Sequence, residues 1–281
     1  MPNPVLISTA AYDGYSLATA LEEISGLGAS LVELAFIQGY TDPFTEDFFS
    51  TPRAEEIVSL LTRAGLTCLT FSAHMDLSQA SSVDVFKRRM EFAERVGARY
   101  IISNAGPRPR KSEFMRNMED LAAFAGEGNM VIALENPGDG KENLIDSARA
   151  CAEIIGAVGS EFVRVNYDFG NVISHLAGKV RPEEDYRQAL AQTAHYHIKD
   201  VAQDRSGWHF TEVGKGVIDY RRVLSELAAD AGQKPVSLEI PLRITRAADG
   251  SPRRAASPVD LKKIRKIMAG SLRFVREALS S

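Results

Sequence analysis

Residues 130–168 read MVIALENPGDGKENLIDSARACAEIIGAVGSEFVRVNYD. The run Met130–Leu134 is short and apolar, and the turn-forming segment ENPGDGK follows it. The apolar residues of Asn143–Val158 then recur at helical spacing. A second β-branched run, Phe162–Tyr167, closes the unit. Strand, helical crossover and strand in immediate succession describe a parallel pair with a right-handed connection.

The same unit repeats outward in both directions. Strands are expected at Val5–Thr9, Ser30–Ala35, Thr67–Ala73, Arg99–Asn104, Met130–Leu134, Phe162–Tyr167, His195–Ile198 and Pro235–Ile240. Helices are expected at Ser16–Gly26, Arg53–Ala64, Val83–Val96, Phe114–Gly126, Asn143–Val158, Pro182–Thr193, Asp219–Ala231 and Pro258–Leu279. Eight strands alternating with eight helices predict a (β/α)₈ TIM barrel, with residues 1–281 as one domain. A doubly wound sheet fits less well, because no Gly-rich phosphate turn follows the first strand. Gly65, Gly97 and Gly128 precede strands and suit left-handed helix caps. The Arg-, Gly- and Pro-rich segment Arg243–Ser257 reads as a long rim loop.

Composition sets the class. Hydrophobic residues make up 44% and charged residues 25%, as in a globular protein. The net charge of −4 gives no general attraction to nucleic acid or to an anionic membrane. Met1–Ser8 carries no basic segment leading into an apolar one, and no run approaches membrane-spanning length. Cys68 and Cys151 read as two buried thiols of a cytoplasmic protein, with a disulfide between them as the less favoured alternative.

Alternation assigns the faces of each strand. Val163, Val165 and Tyr167 point to the helices, so Arg164, Asn166 and Asp168 point to the barrel axis. The same rule turns Glu135, the row His195, His197 and Lys199, and the pair Ser237 and Glu239 inward. Barrel interiors are normally filled by Val, Ile and Leu, and unpaired polar groups there are costly. Glu135, Asp168, His197 and Glu239 converge on the C-terminal rim, where barrel enzymes place their chemistry. A buried salt-bridge network is the competing explanation. It is short of cations: besides His197 itself, only His195, Arg164 and Lys199 are obvious inward cations, and they count only if all are ionised. One divalent ion balances the carboxylates instead. The oxygen-rich set suits Mn²⁺ or Mg²⁺ first, and the imidazole admits Co²⁺ or Zn²⁺.

Five segments carry a family resemblance: ALENPG (133–138), NYDFGN (166–171), HYHIKD (195–200), GKGVIDY (214–220) and SLEI (237–240). Together they resemble the xylose isomerase-like TIM barrel superfamily, sugar phosphate isomerase/epimerase branch, with ketose 3-epimerases and inosose dehydratases as relatives. The resemblance implies that Glu135, Asp168, His197 rather than His195, and Glu239 hold the metal. It implies that Glu135 and Glu239 also shuttle a proton across a metal-bound enediolate of a small carbohydrate or polyol substrate. Asn171 stands where many relatives carry histidine near the substrate.

The resulting expectation is a metal-dependent sugar isomerase or epimerase. A lyase acting on a keto-cyclitol or a 3-keto-glycoside is the alternative. An endonuclease IV-type repair enzyme needs more histidines than the five present and a basic surface. A non-catalytic subunit would have no use for the intact pair Glu135 and Glu239.

His74, Asn171, Lys199 and His209 are candidate substrate contacts, with His74 at the end of an inward row of Cys68, Thr70 and Ser72. His74 and Lys199 read almost equally well as rim residues without that role, and His209, with Trp208, as loop packing. His195 reads as an orienting partner one layer deeper. Glu33 reads as a partner of Arg164, with substrate contact as the alternative. Arg108, Arg110 and Lys111 read as a solvated loop rather than a phosphate site, and His175 as structural. The aromatic run Phe36, Tyr40, Phe44, Phe48 and Phe49 forms a pocket wall or a subunit interface, consistent with a homo-oligomer.

Overall fold

The computed structural model describes residues 3–230 and 232–280. The expected helix end at Ala231 and the residues Met1, Pro2 and Ser281 lie outside them. Eight parallel strands close a barrel: β1 (Val5–Ser8), β2 (Leu31–Ala35), β3 (Thr67–Asp76), β4 (Tyr100–Asn104), β5 (Val131–Glu135), β6 (Val163–Asp168), β7 (Thr193–Ile198) and β10 (Val236–Leu238). Their spatial order is β1-β10-β7-β6-β5-β4-β3-β2. This is the expected (β/α)₈ TIM barrel.

The outward strand residues Ile132, Leu134, Val163, Val165, Tyr167, Tyr196, Ile198, Val236 and Leu238 are fully buried in the apolar layer beneath the helices. The surrounding helices include α1 (Leu17–Gly26), α2 (Thr51–Ala64), α3 (Ser82–Arg95), α4 (Lys111–Glu127) and α5 (Ala148–Val158). After β6 come α6 (Phe169–His175) and α7 (Pro182–Asp185), then α8 (Tyr220–Ala229) after β7 and α9 (Leu261–Leu279) after β10. No helix among the described residues is long and apolar enough to cross a membrane.

Several local expectations are corrected. Helix α5 starts at Ala148, not Asn143, because the Ser147 hydroxyl caps it and the preceding residues stay in the rim loop. The helix expected at 182–193 is one turn followed by a 3₁₀ turn, Tyr186–Ala189. Here the Asp185 carboxylate is drawn onto the Ala148 amide and the Tyr167 hydroxyl. The left-handed position before β5 belongs to Asn129 (φ 48°), not Gly128, which ends α4 at φ −85°. Cys68 leaves the inward row of β3. A bulge between the pairs Val32–Cys68 and Glu33–Thr70 inserts Leu69 and reverses the faces, so Cys68 joins the apolar layer. Cys68 and Cys151 are both free and buried.

The segment expected as a rim loop is instead part of a second sheet. Strands β8 (Asp200–Asp204), β9 (Gly207–Thr211), β11 (Ile244–Arg246) and β12 (Pro252–Arg254) pair antiparallel in the order β12-β11-β9-β8. This small sheet stands over one side of the barrel mouth.

Candidate metal centre

Four consecutive strands of the closed barrel, β5, β6, β7 and β10, deliver the expected quartet. Glu135 ends β5, Asp168 ends β6, His197 lies on β7 opposite both Asp168 and Ser237, and Glu239 directly follows β10. One donor atom from each of Glu135, Asp168, His197 and Glu239 lies within 4.8 Å of the others. All four are buried, at no more than 4% exposure, and Glu135 and Glu239 line a cavity of about 520 Å³.

His197 is oriented from behind. Its Nε2 meets Glu33 Oε2 at 3.0 Å, and the Ser72 hydroxyl donates to Glu33 Oε1 at 3.1 Å. Its Nδ1 is thereby aimed at the quartet, 2.5 Å from Glu135 Oε1, 3.4 Å from Glu239 Oε2 and 3.7 Å from Asp168 Oδ2. A carboxylate behind a ligand imidazole is the usual arrangement for fixing its tautomer. Glu33 does not pair with Arg164, which donates to the Ala191 carbonyl near the other end of β6. One layer down, His195 Nδ1 lies 2.8 Å from Asn166 Oδ1 and its Nε2 3.0 Å from Ser237 Oγ. The Asn166 amide in turn donates to Glu135 Oε1 at 3.1 Å. His195 thus sits where an orienting residue belongs; in the grouping Glu33, His195 and His197, Glu33 is bonded to His197 and stands 3.8 Å from His195.

Asp168 has two structural duties besides its place in the quartet. Its Oδ1 caps α6 by accepting from Asn171 N at 2.9 Å. Its backbone is braced on both sides by the Asn136 amide, at 2.8 and 3.0 Å. Lys199 is not a solvated rim residue. It is 3% exposed, its Nζ lies 2.5 Å from both Asp168 Oδ2 and Glu239 Oε2, and it passes 5.6 Å from the Phe210 ring centre on the small sheet.

The charges leave a deficit. Among the described residues, Glu33, Glu135, Asp168 and Glu239 face only His197 and Lys199 as cations. Burial would lower the His197 imidazole, but Glu33, Glu239 and Glu135 hold it well above its usual range. Burial would raise Asp168, but the Lys199 ammonium and His197 hold it at about 2. Glu135 goes the other way, to about 7. Burial raises it, Glu239 and Asp168 add to the rise, and His197 only partly opposes them. Burial and the His197 charge push His74 down to about 3, so this imidazole is neutral, 3.4 Å from Glu135 Oε2. Asp168 Oδ2 is close to Lys199 but makes no aligned hydrogen bond. Oxygens from three buried carboxylates together with one imidazole, carrying more negative than positive charge, fit a hard or borderline divalent cation.

The remaining candidates divide. His74, Asn171 and Lys199 line the cavity. His209 does not: its side chain is 42% exposed and pairs with Asp204 at 3.5 Å on the outside of the small sheet. His175 accepts from the Gly140 amide at 3.1 Å, and Arg108 and Arg110 pair with Asp146 and Asp76. Phe36, Phe48 and Phe49 stack into the core against Phe71 and Phe92. A larger apolar cavity of about 660 Å³ beside them contains none of the quartet, so chemistry rather than size selects the site. Sequence reading missed Asn136, Arg246 and the brace from Glu33. Asn136 follows Glu135 in the ENPG segment, which was its visible signal; Arg246 had none.

The profile of the xylose isomerase-like TIM barrel family matches residues 21–267, most of the chain. The chain belongs to this family. Barrels of the same fold include a D-psicose 3-epimerase of Clostridium cellulolyticum H10 solved with D-tagatose (TM-score 0.75, 16% identity, 99% of each chain). Another is the "probable 3-DHS dehydratase AsbF" of Bacillus anthracis (TM-score 0.69, 14% identity, 97% of this chain and 98% of that one). Among curated sequences it is similar to the uncharacterized protein y4fM of Sinorhizobium fredii, 26% identical over 183 residues. That match covers 61% of this chain and spans 57% of the relative's length.

Proposed function

We propose that this chain is a divalent-metal-dependent isomerase or epimerase of a small carbohydrate or polyol ketone. The observation that carries the reading is the buried quartet Glu135, Asp168, His197 and Glu239 at the mouth of the barrel. Held by these residues, Mn²⁺ or Mg²⁺, with Co²⁺ or Zn²⁺ as alternatives, would act as a Lewis acid toward a substrate carbonyl.

Glu135 and Glu239 carry the proton chemistry. They leave strands separated by β6 and β7, so they reach one small molecule from different sides of the mouth. Their surroundings differ, which is how two carboxyls take two roles. Glu135 opens onto the cavity 3.4 Å from the neutral His74 imidazole, where a base can take a proton from a bound molecule. Glu239 is held at Oε2 by the Lys199 ammonium. One removes the proton next to the carbonyl, and the other returns one at the same or the adjacent carbon. His74 and Asn171 supply polar contacts at the cavity wall.

A lyase is the second reading, favoured by one observation: Lys199 places an ammonium donor against Glu239, beside the reacting position. Two measurements test the proposal. Elemental analysis should find about one divalent ion per chain, lost in Asp168→Asn and His197→Ala. Asparagine keeps the α6 cap while removing the charge. Incubation of the reconstituted protein with a ketose and keto-cyclitol panel in D₂O should then incorporate deuterium at constant carbon skeleton. Loss of water or of an aglycone would select the lyase. A protein that holds no metal after reconstitution overturns both.

A further inference from the structure

Three arginines are nearly or fully buried: Arg89, Arg243 and Arg246. Arg89 is paired with Glu46, and Arg243 with Asp13. Arg246, at 3% exposure, has no carboxylate at ion-pairing distance among the described residues. Its Nη2 donates to Asn171 Oδ1 and its Nη1 to the Gly250 carbonyl, both at a long 3.3 Å, and its Nε has no partner. The guanidinium lies 5.6 Å from the Tyr40 ring centre. A guanidinium stays charged and carries five N–H donors, so this one is a buried cation with no carboxylate partner, two long hydrogen bonds, the Tyr40 side chain beside it and an unpartnered Nε. Burying a charge without a counterion is costly.

The free cation belongs to the cavity that Glu135 and Glu239 line. It is one residue from the quartet, since its partner Asn171 donates its backbone N–H to Asp168 Oδ1. The wall is shaped for it. A Cβ on Gly138 would lie 2.7 Å from Arg246 Nη2 and 2.4 Å from Asn171 Oδ1, so only glycine leaves room. The small sheet fixes its backbone, with Arg246 paired opposite Trp208.

We propose that Arg246 binds a carboxylate of the substrate, so that the substrate is a keto sugar or keto-cyclitol bearing an acid group. This rests on the function proposed above and narrows its substrate class. The fork of a guanidinium matches a carboxylate in two parallel bonds. The charge count favours one negative charge over the two of a phosphate. Lys199 is engaged by Asp168 and Glu239, Lys141 is 81% exposed beside Asp139, and the acids Asp76, Asp139 and Glu142 line the same mouth. They leave a single guanidinium for the ligand and repel a dianion.

One ketose in three forms tests this: D-fructose, D-fructuronate and D-fructose 6-phosphate, which differ only at the terminal carbon. Binding is read by calorimetry to wild type, Arg246→Gln and Arg246→Lys, each Mn²⁺-loaded and metal-free, with metal content measured on the same samples. Fructuronate should bind wild type at least tenfold more tightly than either fructose or the phosphate. Arg246→Gln should reduce it to the level of fructose while metal content stays unchanged, and Arg246→Lys should fall between. Equal affinity for fructose and fructuronate (absence of both included) overturns the proposal. So does a preference that survives in Arg246→Gln, or tighter binding of the phosphate. If Arg246→Gln does not fold, the comparison of three ligands on wild type still decides. Failure to hold Mn²⁺ would overturn the proposed function instead, and the acid preference would still be read in the metal-free arm.

Discussion

Replacing Lys199 by methionine removes a buried cation while nearly preserving side-chain volume, so cavity formation contributes little. The ammonium is 3% exposed and lies 2.5 Å from two carboxylate oxygens, Asp168 Oδ2 and Glu239 Oε2. Removing one partner of a buried ion pair leaves the other uncompensated, at about 3–5 kcal/mol. Metal-free Lys199→Met should therefore lose stability by about that amount, a fall in Tm on the order of 10 °C. A divalent ion in the quartet returns positive charge to the same two oxygens. With Mn²⁺ present the gap between variant and wild type should narrow to less than half, and the variant should bind Mn²⁺ more tightly than wild type. The assay is thermal and urea unfolding of both proteins in chelator and in excess Mn²⁺. A variant as stable as wild type without metal would refute the reasoning. A loss of equal size with and without metal would refute it too, because the ammonium would then not be compensating the quartet.

Glu33→Gln should weaken metal binding by about ten- to a hundredfold, because it removes the charge behind His197 without touching a donor to the ion. Metal titration with a competing chelator reads it, and unchanged affinity would remove Glu33 from its orienting role. Metal affinity should also rise with pH. Glu135 is raised to about 7 and His197 is raised above its usual value, so the metal-free site holds protons that an ion must displace. The sign is that of protons released on binding, fully opposing below the raised values and vanishing above them. Apparent affinity should increase by at least tenfold from about pH 6 to about pH 8, and a flat profile would show that neither group is protonated at neutral pH.

Much of the site was legible because strand alternation is a local rule. In Val163–Asp168 the apolar and polar sets separate cleanly, and the same holds in Thr193–Ile198 and at Ser237 and Glu239. Knowing which face was apolar was enough to turn Asp168, His197 and Glu239 inward. The rule failed at Cys68, where an inserted Leu69 reverses the parity, and nothing in TCLTFSAH marks a bulge. It was silent on β11 and β12, whose three-residue pairings are too short to show a period. His209 was misplaced because the strand that carries it was read as a loop. As a loop residue it was free to close over the mouth, whereas on β9 its side chain is committed to the outer face.

The βα repeat, the inward rows of the central strands and the four residues that meet at the rim are legible along the chain, because they follow from neighbours two to four positions apart. Which of those groups neutralise one another was decided only by the tertiary structure. Glu33 braces His197 from 164 positions away, across a barrel whose closure brings β2 within reach of β7. Lys199 became a buried counter-charge only when β6 and the end of β10 flanked it and Phe210 covered it. Arg246 became an unpaired cation only when the small sheet folded over the mouth. Charge compensation depends on separation in space and on exclusion of water, and neither is set by separation along the chain.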